Sequence, residues 1–161
     1  MRIFGESGRA ETRVYFTGGA TAVLLGWRDS TVDVDIRFDP ESDELYRAIP
    51  SIKEDLELNV ELASPPDFIP IVPGWETRSQ FIERDGYVTF YHYDIYSQAL
   101  SKLERAHAQD LDDVRAMINL GLVEREKLSD LFAQIEPQLH KYPAINPGTF
   151  ARSVKKAVAR N

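Results

Sequence analysis

Two aspartates separated by one residue, Asp33 and Asp35, sit in the run Thr31-Val32-Asp33-Val34-Asp35-Ile36. In a strand, side chains two apart project to the same side. The pair therefore makes a carboxylate face, with Val32, Val34 and Ile36 turned toward a core. Paired oxygen ligands suit Mg²⁺, which shares its shell between carboxylates, water and substrate phosphates. Upstream, Phe16-Thr17-Gly18-Gly19-Ala20-Thr21 ends an apolar run in two glycines and leads into a helix-compatible segment. A glycine turn feeding a helix N-terminus suits the phosphates themselves. Together these features suggest metal-assisted nucleotidyl transfer, with Asp33 and Asp35 as candidate ligands for Mg²⁺.

Such a site stabilises both attacking and leaving oxygens, and two carboxylates alone rarely suffice. A third normally comes from a neighbouring strand. Residues 57–62 alternate, with Leu58, Val60 and Leu62 expected inward and Glu57, Asn59 and Glu61 on the other face. Glu61, mid-strand on that polar face, is the first choice as ligand and catalytic carboxylate. Asp94 is the runner-up, although an acidic residue there would equally cap the helix that follows.

The elements that must hold these groups are legible from periodicity and breakers. Strands are expected over 13–17, 31–38 and 57–62. A hairpin of 78–84 and 87–93 turns at Asp85-Gly86. Helices are expected over 20–27 and 41–56, the second interrupted or bent near Pro50. Residues 63–75 form a long loop carrying Pro65, Pro66, Pro70 and Pro73, longer than most connections and of the kind that is often functional. Beyond it the pattern is helical. Ile95, Ala99, Leu100, Leu103 and Ala106 share one rhythm, and Leu111, Val114, Met117 and Ile118 a second, ended by Gly121. Leu128, Leu131, Phe132 and Ile135 mark a third helix. A short basic one follows Pro147-Gly148. The shift near residue 95 divides the chain into an α/β core, 1–94, and a helical C-terminal subdomain, 95–161.

The chain of 161 residues contains no cysteine, which excludes disulfides, thiolate metal sites and cysteine nucleophiles and fits a reducing cytoplasm. Met1 to Ser7 lacks the apolar core of a signal peptide, and no run approaches the roughly 18 apolar residues that span a membrane. The net charge of −7 argues against a broad basic surface for duplex nucleic acid. The basic C-terminal stretch from Arg152 to Arg160 is the one candidate patch. His92, His107 and His140 do not cluster and are read as core-edge or surface residues.

Gly18-Gly19, the helix after it and Asp33-x-Asp35 resemble the signature of the DNA polymerase β-like nucleotidyltransferase superfamily. Leu100-Ser101-Lys102-Leu103-Glu104-Arg105-Ala106 and Asp110-Leu111-Asp112-Asp113-Val114 resemble a second pattern. It is the lysine helix and Arg/Asp-rich segment of the toxin or abortive-infection branch, the minimal nucleotidyltransferase-like enzymes. The resemblance spans about 14–118. It implies an α+β nucleotidyltransferase fold, with a small mixed or antiparallel sheet followed by a helical C-terminal segment. It implies that Gly18 and Gly19 cradle the triphosphate and that Asp33, Asp35 and Glu61 bind metal. Lys102 and Arg105 would meet the nucleotide, with Asp113 catalytic; Asp110 and Asp113 could orient Lys102 or Arg105, or approach the site. Asp110 would equally serve as N-cap of its own helix. Gly19 stands where many relatives carry Ser, and Thr21 is the expected replacement for the lost phosphate contact. The acceptor would be RNA, specifically tRNA, or a protein side chain, with a cognate toxin or antitoxin as partner. The competing reading is a non-catalytic antitoxin or regulatory partner that keeps the fold.

Overall fold

The computed structural model describes residues 1–160. It is α+β: a five-stranded mixed sheet and, among the described residues, eight α-helices. The chain divides into two compact units, 1–64 with 79–93, and 65–78 with 94–161.

The first unit contains the whole sheet: β1 (Thr12–Thr17), β2 (Asp33–Asp39), β3 (Asn59–Leu62), β4 (Gln80–Asp85) and β5 (Val88–His92). The order is β3-β2-β1-β5-β4. β1 runs antiparallel to β2 and parallel to β5, β2 pairs parallel with β3, and β4 with β5 antiparallel. Three helices accompany it: α1 (Arg2–Ser7), α2 (Gly18–Leu24) and α3 (Asp43–Leu56). One face of the sheet supplies Val14, Phe16, Ile36, Phe38, Val60, Val88 and Phe90, which cluster with Leu45, Ala48 and Ile52 of α3. Each Val, Leu, Ile or Phe side chain so withdrawn from water contributes roughly 1.5–3 kcal/mol. Ser42 caps α3 by accepting from the Leu45 N–H, with Asp43 and Glu44 in the first turn where the helix dipole favours anions. The helix continues as one element through Pro50, so of the two expectations, interruption or bend, the interruption does not occur.

Two expected core positions are corrected. Val32 is 64% exposed because β2 begins only at Asp33. Leu62 is 50% exposed because β3 is an edge strand, covered by a neighbour on one side only. Val60 alone anchors that strand in the core.

The second unit is helical: α4 (Trp75–Arg78), α5 (Ile95–Arg105), α6 (Ala108–Asn119), α7 (Arg125–Ile135) and α8 (Pro147–Val158). The expected stripes close on one another: Leu100, Leu103, Val114, Met117, Leu128, Ile135, Phe150 and Val154 are all buried. Phe132 and Phe150 meet edge to face at 4.8 Å. Gly121, at φ +72, ends α6 by donating its N–H to the Ile118 carbonyl. The proline-rich segment is not an open loop. It forms a 3₁₀ turn (Pro65–Asp67) and α4, with Ile69 and Val72 buried, and it groups with the helical unit. No helix among the described residues is long and apolar enough to cross a membrane.

Candidate active site

The sheet unit brings the glycine bend and the carboxylates together. Thr17, the last residue of β1, pairs with Asp35 on β2. The chain then turns at Gly18, whose φ of +61 lies in the left-handed region open to glycine at little cost. A Cβ on Gly18 would lie 2.8 Å from Asp35 Oδ2, so the Asp35 carboxylate is aimed at the bend. At Gly19 an added Cβ would lie 2.3 Å from Thr31 Oγ1 and 3.0 Å from the Asp33 carbonyl oxygen. Both glycines are therefore required by close approach to β2. The absence of serine at position 19 is more than a lost phosphate ligand, since a side chain does not fit there without displacing Thr31.

Across the edge, Asp33 pairs with Asn59 and Asp35 with Glu61 in parallel register. The Asn59 amide donates to Asp33 Oδ1 and to Glu61 Oε1, each at 3.1 Å. Asp33, Asp35 and Glu61 thus share one side of adjacent strands, the outer two steadied by one amide. Sequence reasoning put Asn59 on this face but missed that bridging role; its place two residues before Glu61 was the available signal. Asp33 and Glu61 are exposed and Asp35 is half-buried. Among the described residues no three His, Asp or Glu side chains converge as a ready-made cation cage. An all-carboxylate face open to solvent still suits Mg²⁺, which keeps waters and substrate phosphates in its shell rather than taking an all-protein cage.

Thr21 corrects the expectation placed on it. Its side chain is fully buried, and its hydroxyl donates to the Phe16 carbonyl at 3.1 Å and lies 3.2 Å from His92 Nδ1. It offers no surface to phosphate. With the hydroxyl proton given to Phe16, the Nδ1 contact makes His92 the donor. Burial pushes the His92 pKa down to about 4, so the ring is neutral near pH 7. This chain of hydrogen bonds ties β5 to α2 and to the end of β1, immediately before the glycine bend.

The remaining expected residues assemble within the helical unit. Lys102 is buried and ion-paired with Asp113 at 2.7 Å and Asp110 at 3.6 Å. Arg105 donates Nε and Nη2 to Asp110 at 2.8 and 2.6 Å. Burial works against the Asp110 carboxylate. The Arg105 hydrogen bonds and charge, with Lys102, outweigh it and hold the pKa below the ordinary value. The Lys102 charge is thus taken up by carboxylates rather than held out to a phosphate. Asp110 is not the N-cap of α6, which is His107; it accepts instead from the His107 N–H. Asp94 is fully buried at the start of α5, where it accepts from Tyr96 N and Ser97 N and takes a two-point grip from Arg78. Its capping role is the one realised.

Residues 5–146 match a family model described as nucleotidyltransferase of unknown function (DUF6036). No curated protein and no solved structure matches the chain.

Proposed function

The chain belongs to this nucleotidyltransferase family, and from that premise we propose that it moves a nucleoside monophosphate from a nucleoside triphosphate to a hydroxyl acceptor with Mg²⁺. The observation that carries this reading is the Asp35 carboxylate, aimed at Gly18 and facing Glu61 across a parallel strand pair. A triphosphate at the bend would meet several negative charges, and a divalent cation between them would relieve that repulsion. Asp33, Asp35 and Glu61 would hold that cation, which neutralises the triphosphate. Backbone N–H groups beyond Gly19 would fix the phosphate oxygens. The acceptor oxygen attacks the α-phosphorus, the α–β phosphoanhydride bond breaks, and pyrophosphate leaves. The hydroxyl proton passes to a carboxylate of this face. Rate enhancement would come from positioning and charge placement. Lys102 and Arg105 are given no phosphate here, because each already pairs with a carboxylate.

RNA, specifically tRNA, and a protein side chain remain the proposed acceptors. The net charge of −7 means that an RNA would be held through local patches. A toxin–antitoxin or phage-defence setting is supported by the resemblance of residues 100–114 alone, and a cytoplasmic location by the lack of cysteine. Incubation with α-labelled triphosphates, Mg²⁺ and total tRNA or lysate tests the reading. Label should appear with wild type and vanish with Asp33→Asn or Asp35→Asn. Label that persists in the double variant, or none with wild type, overturns it. The latter result, with a tight protein partner bound regardless of Asp33 and Asp35, would favour a non-catalytic antitoxin. The Asn59 amide already bridging two of the carboxylates lends that second reading its support.

A further inference from the structure

The helical unit contains a cavity of about 490 Å³ between α5, α6, α7 and α8, within the range of small-molecule sites. Its walls include Leu103, Val114 and Ile118, and three cations line it: Arg115, Arg125 and Lys156. In a chain of net charge −7, such a concentration of positive charge on an apolar hollow stands apart.

Arg125 is the most telling of the three. Its Nε–H is buried with no hydrogen-bond partner among the described residues. An unmet buried donor costs on the order of 1–3 kcal/mol. Arg125 is also the first residue of α7, where the helix dipole disfavours a cation. Neither feature serves the fold, and an anion held by the Arg125 guanidinium would offset the cation at the helix start. Arg115 is partly offset by Asp112, while Lys156 forms no ion pair among the described residues. The net positive charge on this wall suits a dianionic group such as a phosphomonoester, which carries roughly −1.5 to −2 near pH 7. Guanidinium groups grip phosphate oxygens in pairs, and the aliphatic walls suit the face of a base or another apolar body.

We propose that this cavity binds a phosphomonoester carrying an apolar-faced body, of the class of a nucleoside monophosphate, free or at the 5′ end of an RNA. The inference is independent of the carboxylate site in the sheet unit.

Calorimetry and methyl NMR on the full chain test it, with adenosine 5′-monophosphate, a 5′-phosphorylated tetraribonucleotide, adenosine and decanoate as probes. The mononucleotide or the phosphorylated RNA should bind, whichever does so identifying the source, and should shift the methyls of Leu103, Val114 and Ile118. Adenosine and decanoate should bind at least tenfold more weakly. Arg125→Met should weaken binding about tenfold or more while the unliganded protein melts no lower than wild type. Lys156→Gln should weaken it about threefold. Asp33→Asn should leave it unchanged, which separates this cavity from the carboxylate site. Binding lost in Asp33→Asn but kept in Arg125→Met overturns the proposal, as does preference for decanoate or no binding by either phosphorylated probe.

Discussion

The Cβ that Gly19 lacks would sit 2.3 Å from Oγ1 of Thr31, and that hydroxyl in turn accepts from the Asp33 N–H at 3.1 Å. The bend and the start of the aspartate strand are therefore packed directly on each other. Gly19→Ser, although serine is common in the superfamily signature, should destabilise the chain by about 1–3 kcal/mol, the usual cost of overpacking. Urea denaturation measures this. Thr31→Gly in the same chain should recover part of the loss, because it removes two of the three close contacts and leaves only the Asp33 carbonyl oxygen. A serine variant as stable as wild type would refute the close packing.

His92 makes stability depend on pH in a defined window. Its folded pKa is about 4 against an ordinary 6.5, because burial penalises the imidazolium. Between those values the unfolded chain binds more protons than the folded one, so stability rises with pH. The contribution is fully present above about 6.5 and is lost as pH falls toward 4. Its size is at most about 3 kcal/mol, from the gap between 6.5 and about 4 at roughly 1.36 kcal/mol per pKa unit. Denaturation midpoints across pH 4–7 should show this slope, and His92→Leu should flatten it. An equal slope in the variant would assign the effect to other groups.

The strands and helices were legible where their periodicity was undisturbed. Val14, Phe16, Ile36 and Phe38 alternate because the sheet presents one face to a core, and the stripe from Ile95 to Leu103 repeats at helical spacing. Legibility failed where burial depends on position in the sheet rather than on residue type. Val32 and Leu62 fit the alternation, yet lie outside the strand or on its open edge. The carboxylate face followed from spacing alone, since Asp33 and Asp35 cannot diverge within a strand. The partners of Thr21 and Lys102 were not legible, because a hydroxyl or an ammonium group looks the same in sequence whether it faces solvent or a buried acceptor. His92 in particular lies 71 residues from Thr21, beyond any local pattern.

Lys102 and Asp113 form a buried pair that should tolerate joint removal better than single removal. Lys102→Met leaves Asp113, which is 1% exposed, facing a lost charge, and should cost about 3–5 kcal/mol. Lys102→Met with Asp113→Leu should recover much of that, because two well-packed apolar side chains replace two desolvated charges. Thermal melts of the four proteins give the coupling energy. Additive losses in the double variant would show that the two groups act apart. If the double variant also keeps its transfer activity at a temperature where it is folded, neither side chain takes part in the chemistry.

Arg78 and Asp94 present the last separable case, because one carboxylate does two structural jobs. Asp94 meets Arg78 Nε at 3.0 Å and Nη2 at 2.8 Å, and it also accepts from Ser97 Oγ at 2.6 Å and from two N–H groups of α5. Asp94→Ala should cost about 3–5 kcal/mol, since it strands the Arg78 guanidinium and uncaps the helix. Asp94→Ser keeps a capping oxygen but loses the charge, so it should recover about 1 kcal/mol of that loss. Arg78→Met should cost nearly as much as Asp94→Ala, and the pair of changes together less than their sum. Chemical denaturation reads all four variants. The same variants decide whether Asp94 has any part in catalysis. If the proposed transfer is observed, a capping residue leaves its rate per folded molecule unchanged in Asp94→Ser, whereas a metal ligand abolishes it in a chain that is still folded.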